Sequence, residues 1–97
     1  MNISELKEEV SIVEILEHYG FDSSELDYKS GWGAWTKCIC PFHFDTNPSG
    51  SVNVDKNLFQ CFVCGDGRAH DILDIVMEQE FFDNVKEAKE WIENRFL

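Results

Sequence analysis

The chain has 97 residues, of which 43% are hydrophobic and 13% aromatic, and its formal net charge is −11 at pH 7. This length corresponds to one small domain, and the apolar content excludes an intrinsically disordered composition. No apolar run approaches the roughly 18 residues of a membrane span, and the excess of acid has the wrong sign for a protein that binds mainly through phosphate contacts.

The negative charge is concentrated at the two ends of the chain. Residues 1–37 and residues 71–97 each carry a net charge of −5, whereas residues 38–70 carry only −1. The middle of the chain is therefore nearly neutral, and a local surface for nucleic acid is compatible with it although the whole chain repels phosphate.

Two helices are predicted within residues 1–21. Asn2 and Ser11 each stand three residues before a glutamate, which is the pattern of a helix N-cap with a capping box. Gly20 is predicted to end the second helix, because helices often close on a residue in the left-handed conformation, and Phe21 supplies the apolar contact that follows such an ending.

Three strands are predicted in the middle of the chain, over residues 34–39, 51–54 and 58–62, with a hairpin loop at 55–57. The alternation of residues 51–54 is typical of a half-buried strand. A helix is then predicted from about residue 71 to residue 79.

The last part of the chain is predicted to break and then form a final helix. Phe81 and Phe82 mark the break, and Asp83 is predicted to cap the helix that follows. The resulting fold class is α+β: one domain over residues 1–97, with a three-stranded antiparallel sheet within residues 34–65 between N-terminal helices at 1–21 and helices at 71–97.

Four side chains have the spacing of a metal site. Cys40 and His43 form a C-x2-H pair, seventeen residues follow, and Cys61 and Cys64 form a C-x2-C pair. Two such pairs on tight turns can complete the tetrahedral shell of one Zn2+ and leave no open position, which indicates a structural metal. The sheet of residues 34–65 is therefore predicted to be a small zinc ribbon. Disulfides or separate buried thiols are the alternatives, but the paired spacing favours zinc.

Cys38 is left over from this set. It lies two residues before Cys40, so on a strand both would point to the same face. It is interpreted as a small core residue, with a role as a spare ligand as the alternative. Reduced thiols placed for metal binding indicate a cytoplasmic protein.

No catalytic constellation is found. The chain contains no glycine-rich phosphate loop and no arrangement typical of a serine, cysteine or paired-carboxylate enzyme, so no catalytic residue is predicted and the chain is interpreted as a non-catalytic module. His70 is interpreted as a helix-start residue, with metal ligation as the alternative.

Three motifs carry a family resemblance: Cys40-Pro41-Phe42-His43, Pro48-Ser49 and Cys61-Phe62-Val63-Cys64-Gly65. Together they resemble the N-terminal zinc-binding domain of bacterial DnaG-type DNA primases, and the resemblance covers almost the whole chain. It implies the four zinc ligands above and a ribbon that contacts single-stranded template DNA for a separate catalytic domain.

Candidate nucleic-acid contacts follow from this resemblance together with base stacking on exposed rings. They are Lys37, Lys56, Phe59, Phe62, Arg68 and Trp35. The sequence departs from the family at Ala34, Thr46 and Gly50, where a basic residue, a lysine and a phenylalanine are usual, so fewer groups are available for phosphates.

Two functions stay open at this point. The first is a DNA replication module that contacts single-stranded DNA and acts in primer synthesis with a primase catalytic domain or a replicative helicase. The second is a free-standing acidic zinc protein that binds a basic replication protein. The chain would be either the N-terminal domain of a longer primase or a separate protein of a phage or mobile element.

Overall fold

The computed structural model describes residues 1–25, 35–42, 49–63 and 68–97. In these ranges the chain forms four α-helices, one short 3-10 helix and three strands. The helices are α1 (Ile3–Glu9), α2 (Ile12–His18), α3 (Ile72–Glu80) and α4 (Val85–Phe96), and the 3-10 helix is Ser23–Glu25; the strands are β1 (Thr36–Cys38), β2 (Gly50–Asn53) and β3 (Leu58–Cys61). The predicted α+β class is confirmed.

The strands form one antiparallel sheet in the order β1-β2-β3. Cys38, Gly50 and Cys61 lie side by side across it. The outer edge of β3 is also occupied, because Phe59 and His70 exchange backbone hydrogen bonds of 2.9 and 2.7 Å. His70 therefore closes the edge of the sheet, one residue before the N-cap of α3.

The central strand differs from its prediction. All four residues of Gly50–Asn53 are buried, whereas a half-buried strand was expected. Ser51 and Asn53 point to the face opposite Val52 and are buried as well, so both faces of β2 are enclosed.

The ends of α1 and α2 follow the sequence pattern. Asn2 accepts a hydrogen bond from the Glu5 backbone N–H at 2.8 Å, and Ser11 forms a complete capping box with Glu14. At the end of α2, Gly20 has a φ of 98° and the Phe21 N–H donates to the carbonyl of Leu16 at 3.0 Å. This is the Schellman ending that the sequence predicts.

The predicted cap of the last helix is wrong by one residue. Asn84, rather than Asp83, has the extended backbone of an N-cap, and its side chain accepts a hydrogen bond from the Glu87 N–H at 3.0 Å. The break at Phe81 and Phe82 is confirmed, since α3 ends there.

The four helices and one face of the sheet share a single apolar core. Its fully buried side chains come from every helix and from the central strand, namely Leu6, Val10, Ile12, Ile15, Leu16, Val52, Ile72, Val76, Ala88 and Ile92. Among the described residues, no helix has the length and apolarity to cross a membrane.

One side chain connects the hairpin to the first two helices. Asn57, in the turn between β2 and β3, has a φ of 59°. Its amide oxygen accepts a hydrogen bond from the Ile12 N–H at 2.6 Å, and its amide nitrogen donates to the carbonyls of Lys7 and Val10 at 3.1 and 2.9 Å. It therefore satisfies backbone groups that the end of α1 and the start of α2 leave unpaired.

Replacement of Asn57 is expected to loosen this junction. Asn57→Gly keeps the freedom for a positive φ but removes the three hydrogen bonds, and should lower the free energy of unfolding by about 1–3 kcal/mol. Asn57→Ala should cost roughly 1 kcal/mol more, since alanine disfavours a positive φ. Urea unfolding of the zinc-loaded protein measures both, with Asn94→Ala on the exposed face of α4 as control. A glycine variant as stable as the parent would contradict the role of Asn57.

An ion pair joins α1 to the start of α3. Lys7 Nζ lies 2.7 Å from Asp71 Oδ2, and the Asp74 N–H donates to Asp71 Oδ1 at 2.9 Å. Partial burial raises the pKa of the Asp71 carboxyl, but the hydrogen bonds with Lys7 and Asp74 and the positive charge of Lys7 together lower it more, so it lies below its ordinary value of 3.8. The stabilisation is therefore present above that value and is lost as the pH falls through the lower, folded-state pKa.

Lys7→Met is expected to lower the free energy of unfolding by about 0.2–1 kcal/mol, because the pair is only partly buried. The difference from the parent protein should stay constant between about pH 8 and about pH 5, since Asp71 remains ionised over that range. Urea titrations at several pH values measure it, with Lys86→Met as control. A difference that grows or disappears within that range would show that another titrating group is responsible.

Candidate metal centre and nucleic-acid interface

The topology of the sheet brings the two predicted ligand pairs to one end. Strands β1 and β3 are each antiparallel to β2 and therefore run in the same direction. The first pair begins at Cys40, two residues after the end of β1, and the second begins at Cys61, the last residue of β3. Both pairs therefore start at the same end of the strands, here called the zinc end.

The described members of the pairs are buried. Cys40 is 2% exposed and Cys61 is 3% exposed. Cys38 is buried in the apolar core, as its main interpretation predicts, and none of these three described cysteines is in a disulfide. His43 and Cys64 lie outside the described residues, so their ligand role stays a prediction.

A hydroxyl group lies next to one of the thiols. Ser49 Oγ is 3.5 Å from Cys61 Sγ. A metal-bound cysteine is a thiolate and has no proton to donate, so Ser49 would be the donor in that state. Hydrogen bonds of this kind orient a ligand and tune its metal.

The chemistry of the described residues fits zinc. Two thiols at one end of the sheet, shielded from solvent and with a hydroxyl donor beside one of them, supply the soft ligands that structural zinc sites prefer. In this arrangement Cys40 and Cys61 would provide half of a tetrahedral shell.

The other face of the sheet carries the candidate contacts with nucleic acid. Since side chains alternate along a strand, Lys37, Ser51 and Gln60 form one row on the face opposite Val52, here called the outer face. In this row Ser51 is buried and Gln60 is half-buried. Lys37 is exposed. Phe62 continues this alternation at the zinc end with 68% exposure, and Trp35 stands two residues before Lys37 with 38% exposure.

Phe59 does not share this face. It is 3% exposed and lies edge-to-face against Phe42 in the core, with ring centroids 5.9 Å apart. This burial argues against the stacking role expected for Phe59. The odd spacing of Phe59 and Phe62 indicates from the sequence that the two rings do not share a face, because strand residues three positions apart point to opposite faces. The same alternation places Gln60, two residues before Phe62, on the outer face. Gln60 is thus a further candidate contact, which the sequence motifs did not indicate.

The remaining two cations lie at opposite ends of the sheet. Lys56 is exposed in the β2–β3 turn, at the end away from the zinc end. Near this turn a cleft is lined by acidic side chains including Glu8, Glu14 and Asp55, which oppose phosphate binding. Arg68 is exposed and stands two residues before His70, the partner of Phe59, so it lies towards the zinc end.

Gly50 allows close packing at the inner face. A Cβ atom at this position would lie 3.2 Å from the Phe59 ring and 3.2 Å from the Cys38 carbonyl oxygen. Both distances are shorter than an ordinary van der Waals contact, so only glycine fits at residue 50 without a shift of its neighbours. A larger residue here would force Phe59 or β1 to move.

Comparisons with known proteins show the family of the chain. The family model described as the CHC2 zinc finger, a zinc ribbon of DnaG, matches residues 1–96. The chain is 42% identical over 71 residues to a DNA primase of Mycoplasma pneumoniae, which covers 70% of this chain and 10% of that protein. It is 41% identical over 46 residues to the Gene 58 protein of Mycobacterium phage D29, which covers 47% of this chain and 34% of that protein.

A solved structure is also similar over nearly the whole chain. It is the Aquifex aeolicus primase with its zinc binding and RNA polymerase domains, matched with a TM-score of 0.66 and 31% identity over 99% of this chain and 22% of that chain. The chain thus spans about a tenth of the length of the curated primases it matches.

Zinc analysis of single variants will test the ligand set. Cys40→Ala and Cys61→Ala are expected to lose bound zinc and to unfold at lower temperature, because each removes a thiolate from a closed shell. Cys38→Ala is the matched control and should retain one zinc per chain. Elemental analysis and thermal unfolding measure these effects; loss of zinc from the Cys38 variant alone would reassign the site.

Proposed function

The chain belongs to the CHC2 zinc finger family of DnaG-type primases, and on that premise we propose that it is a structural zinc module that contacts single-stranded template DNA. It would do so beside a separate catalytic domain of the RNA polymerase type found in the solved primase. The observation that carries the proposal is the outer face of the sheet, where Lys37 on β1 and Phe62 directly after β3 are exposed and Gln60 on β3 is half-buried.

One zinc would be held by Cys40, His43, Cys61 and Cys64. With four protein ligands the metal has no open position for substrate, so its contribution is to fix the ends of β1 and β3 together. That link would orient Lys37 on β1 relative to Phe62, which directly follows β3. No catalytic residue is part of the proposal, and the reduced thiols favour a cytoplasmic location.

The outer face has the side-chain chemistry for a short single strand. The ring of Phe62 would stack on a base, which contributes about 1–3 kcal/mol per base. Gln60 would donate and accept hydrogen bonds at a base edge, and Lys37 would contact a phosphate. Arg68 offers a second cation towards the zinc end. Trp35, directly before β1, adds an exposed ring on the opposite side of Lys37.

The acidic groups restrict where DNA can approach. The acidic cleft beside the β2–β3 turn lies at the end of the sheet away from the zinc, and Lys56 lies within this negative surrounding. The strand is therefore proposed to cross the sheet near the zinc end. With about two phosphates neutralised, the slope of log K against log salt should be shallow, about −1.4.

Fluorescence anisotropy with labelled single-stranded DNA will test this function. Saturable binding that weakens with salt is expected, and Lys37→Glu should weaken it about tenfold or more at low salt. Lys86→Glu makes the same charge change on α4, away from the outer face, and should have a much smaller effect. Absence of binding at low salt by the folded, zinc-loaded protein, or equal losses in both variants, would contradict the proposal.

A further inference from the structure

Two helices end in the same way, but with different residues at the critical position. At the end of α2, Gly20 has a φ of 98° and the next residue, Phe21, donates its N–H to the carbonyl five residues back. At the end of α3, Phe81 has a φ of 59° and Phe82 donates its N–H to Met77 at 3.0 Å. Phenylalanine thus occupies the place that glycine usually takes.

The two phenylalanines of this turn behave differently. Phe82 packs against the core, as the residue after a Schellman ending normally does. Phe81 is 90% exposed, although its left-handed backbone disfavours any side chain with a Cβ atom. The fold therefore carries both backbone strain and an exposed aromatic ring at one residue. An outlier of this kind points to a function outside the fold itself.

The charges around Phe81 restrict its partner. Residues 78–90 carry five acidic and two basic side chains, and Lys89 is paired with Glu93 at 3.1 Å. Glu78 and Asp83, close to Phe81 on either side in sequence, are both exposed. Phosphates are repelled by this surrounding, and a second copy of a chain with a net charge of −11 is repelled as well. A protein surface with cations around an apolar pocket is complementary to it.

The turn lies towards the zinc end of the molecule. Glu78 and Gln79 line a cavity of about 180 Å³ together with Cys61 and His70. Phe81 follows two residues later, so a partner bound there would be close to the end of the sheet where template DNA is proposed to cross.

We propose that Phe81 anchors a protein-docking site in which its ring enters an apolar, cation-rimmed pocket on the RNA polymerase domain of a DnaG-type primase. This inference rests on the proposed function, which supplies the partner, and adds the residue and chemistry of contact. A domain that handles template and primer must present cations for their phosphates. The N–H groups of Phe81 and Phe82 both donate to the Met77 carbonyl, so the backbone from which the ring projects is fixed before binding.

Three variants of Phe81 separate docking from folding. Phe81→Gly and Phe81→Asn relieve the backbone strain and remove the ring, so both should unfold at a temperature equal to or higher than the parent, by up to about 4–8 °C. Both should weaken binding to the purified RNA polymerase domain of the primase from the same source about tenfold or more. Phe81→Trp should retain binding, because it keeps a large aromatic ring.

Calorimetry with this domain and anisotropy with DNA are measured on the same proteins. Phe81→Gly should leave DNA affinity unchanged, and Lys37→Glu should leave docking unchanged. Failure of the DNA experiment alone overturns the proposed function of the sheet. Absence of binding to the RNA polymerase domain, or binding that survives Phe81→Gly and Phe81→Asn, overturns the docking site.

Discussion

The fold depends on the contacts that the Asn57 side chain makes with the helices. Its amide bonds to the last carbonyls of α1 and to the first N–H of α2, while its backbone forms the β2–β3 turn. These are the groups that helix ends leave without partners, so one polar side chain at once closes the hairpin and fixes the corner between two helices. The hairpin is thereby held against the first two helices.

The direction of the strands organises the site. Because β1 and β3 are both antiparallel to β2, they run in the same direction, and the ends that bear Cys40 and Cys61 lie at the same end of the sheet. A metal there would link strands that are not neighbours in the sheet. For a domain of this size such a link is valuable, since a small core supplies little stability by itself.

The acidic charge of the chain is compatible with a proposed nucleic-acid surface because the charges are separated. The outer face exposes Lys37 and is followed by the exposed ring of Phe62, whereas an acidic cleft lies beside the hairpin turn. The proposed docking residue, Phe81, lies on a helix ending with its own acidic surrounding. Opposite chemistry on separate surfaces would allow one small domain to contact both DNA and a protein partner, as proposed.

The sequence by itself determined the family, the fold class and most helix ends, because paired cysteine spacings, capping side chains and Gly20 act through local geometry. It also contained the alternation that places Phe59 and Phe62 on opposite faces. Only the tertiary structure decided the role of Asn57, the burial of the whole of β2 and the exposure of Phe81. These depend on which distant segments pack together, and no local pattern of residues encodes that.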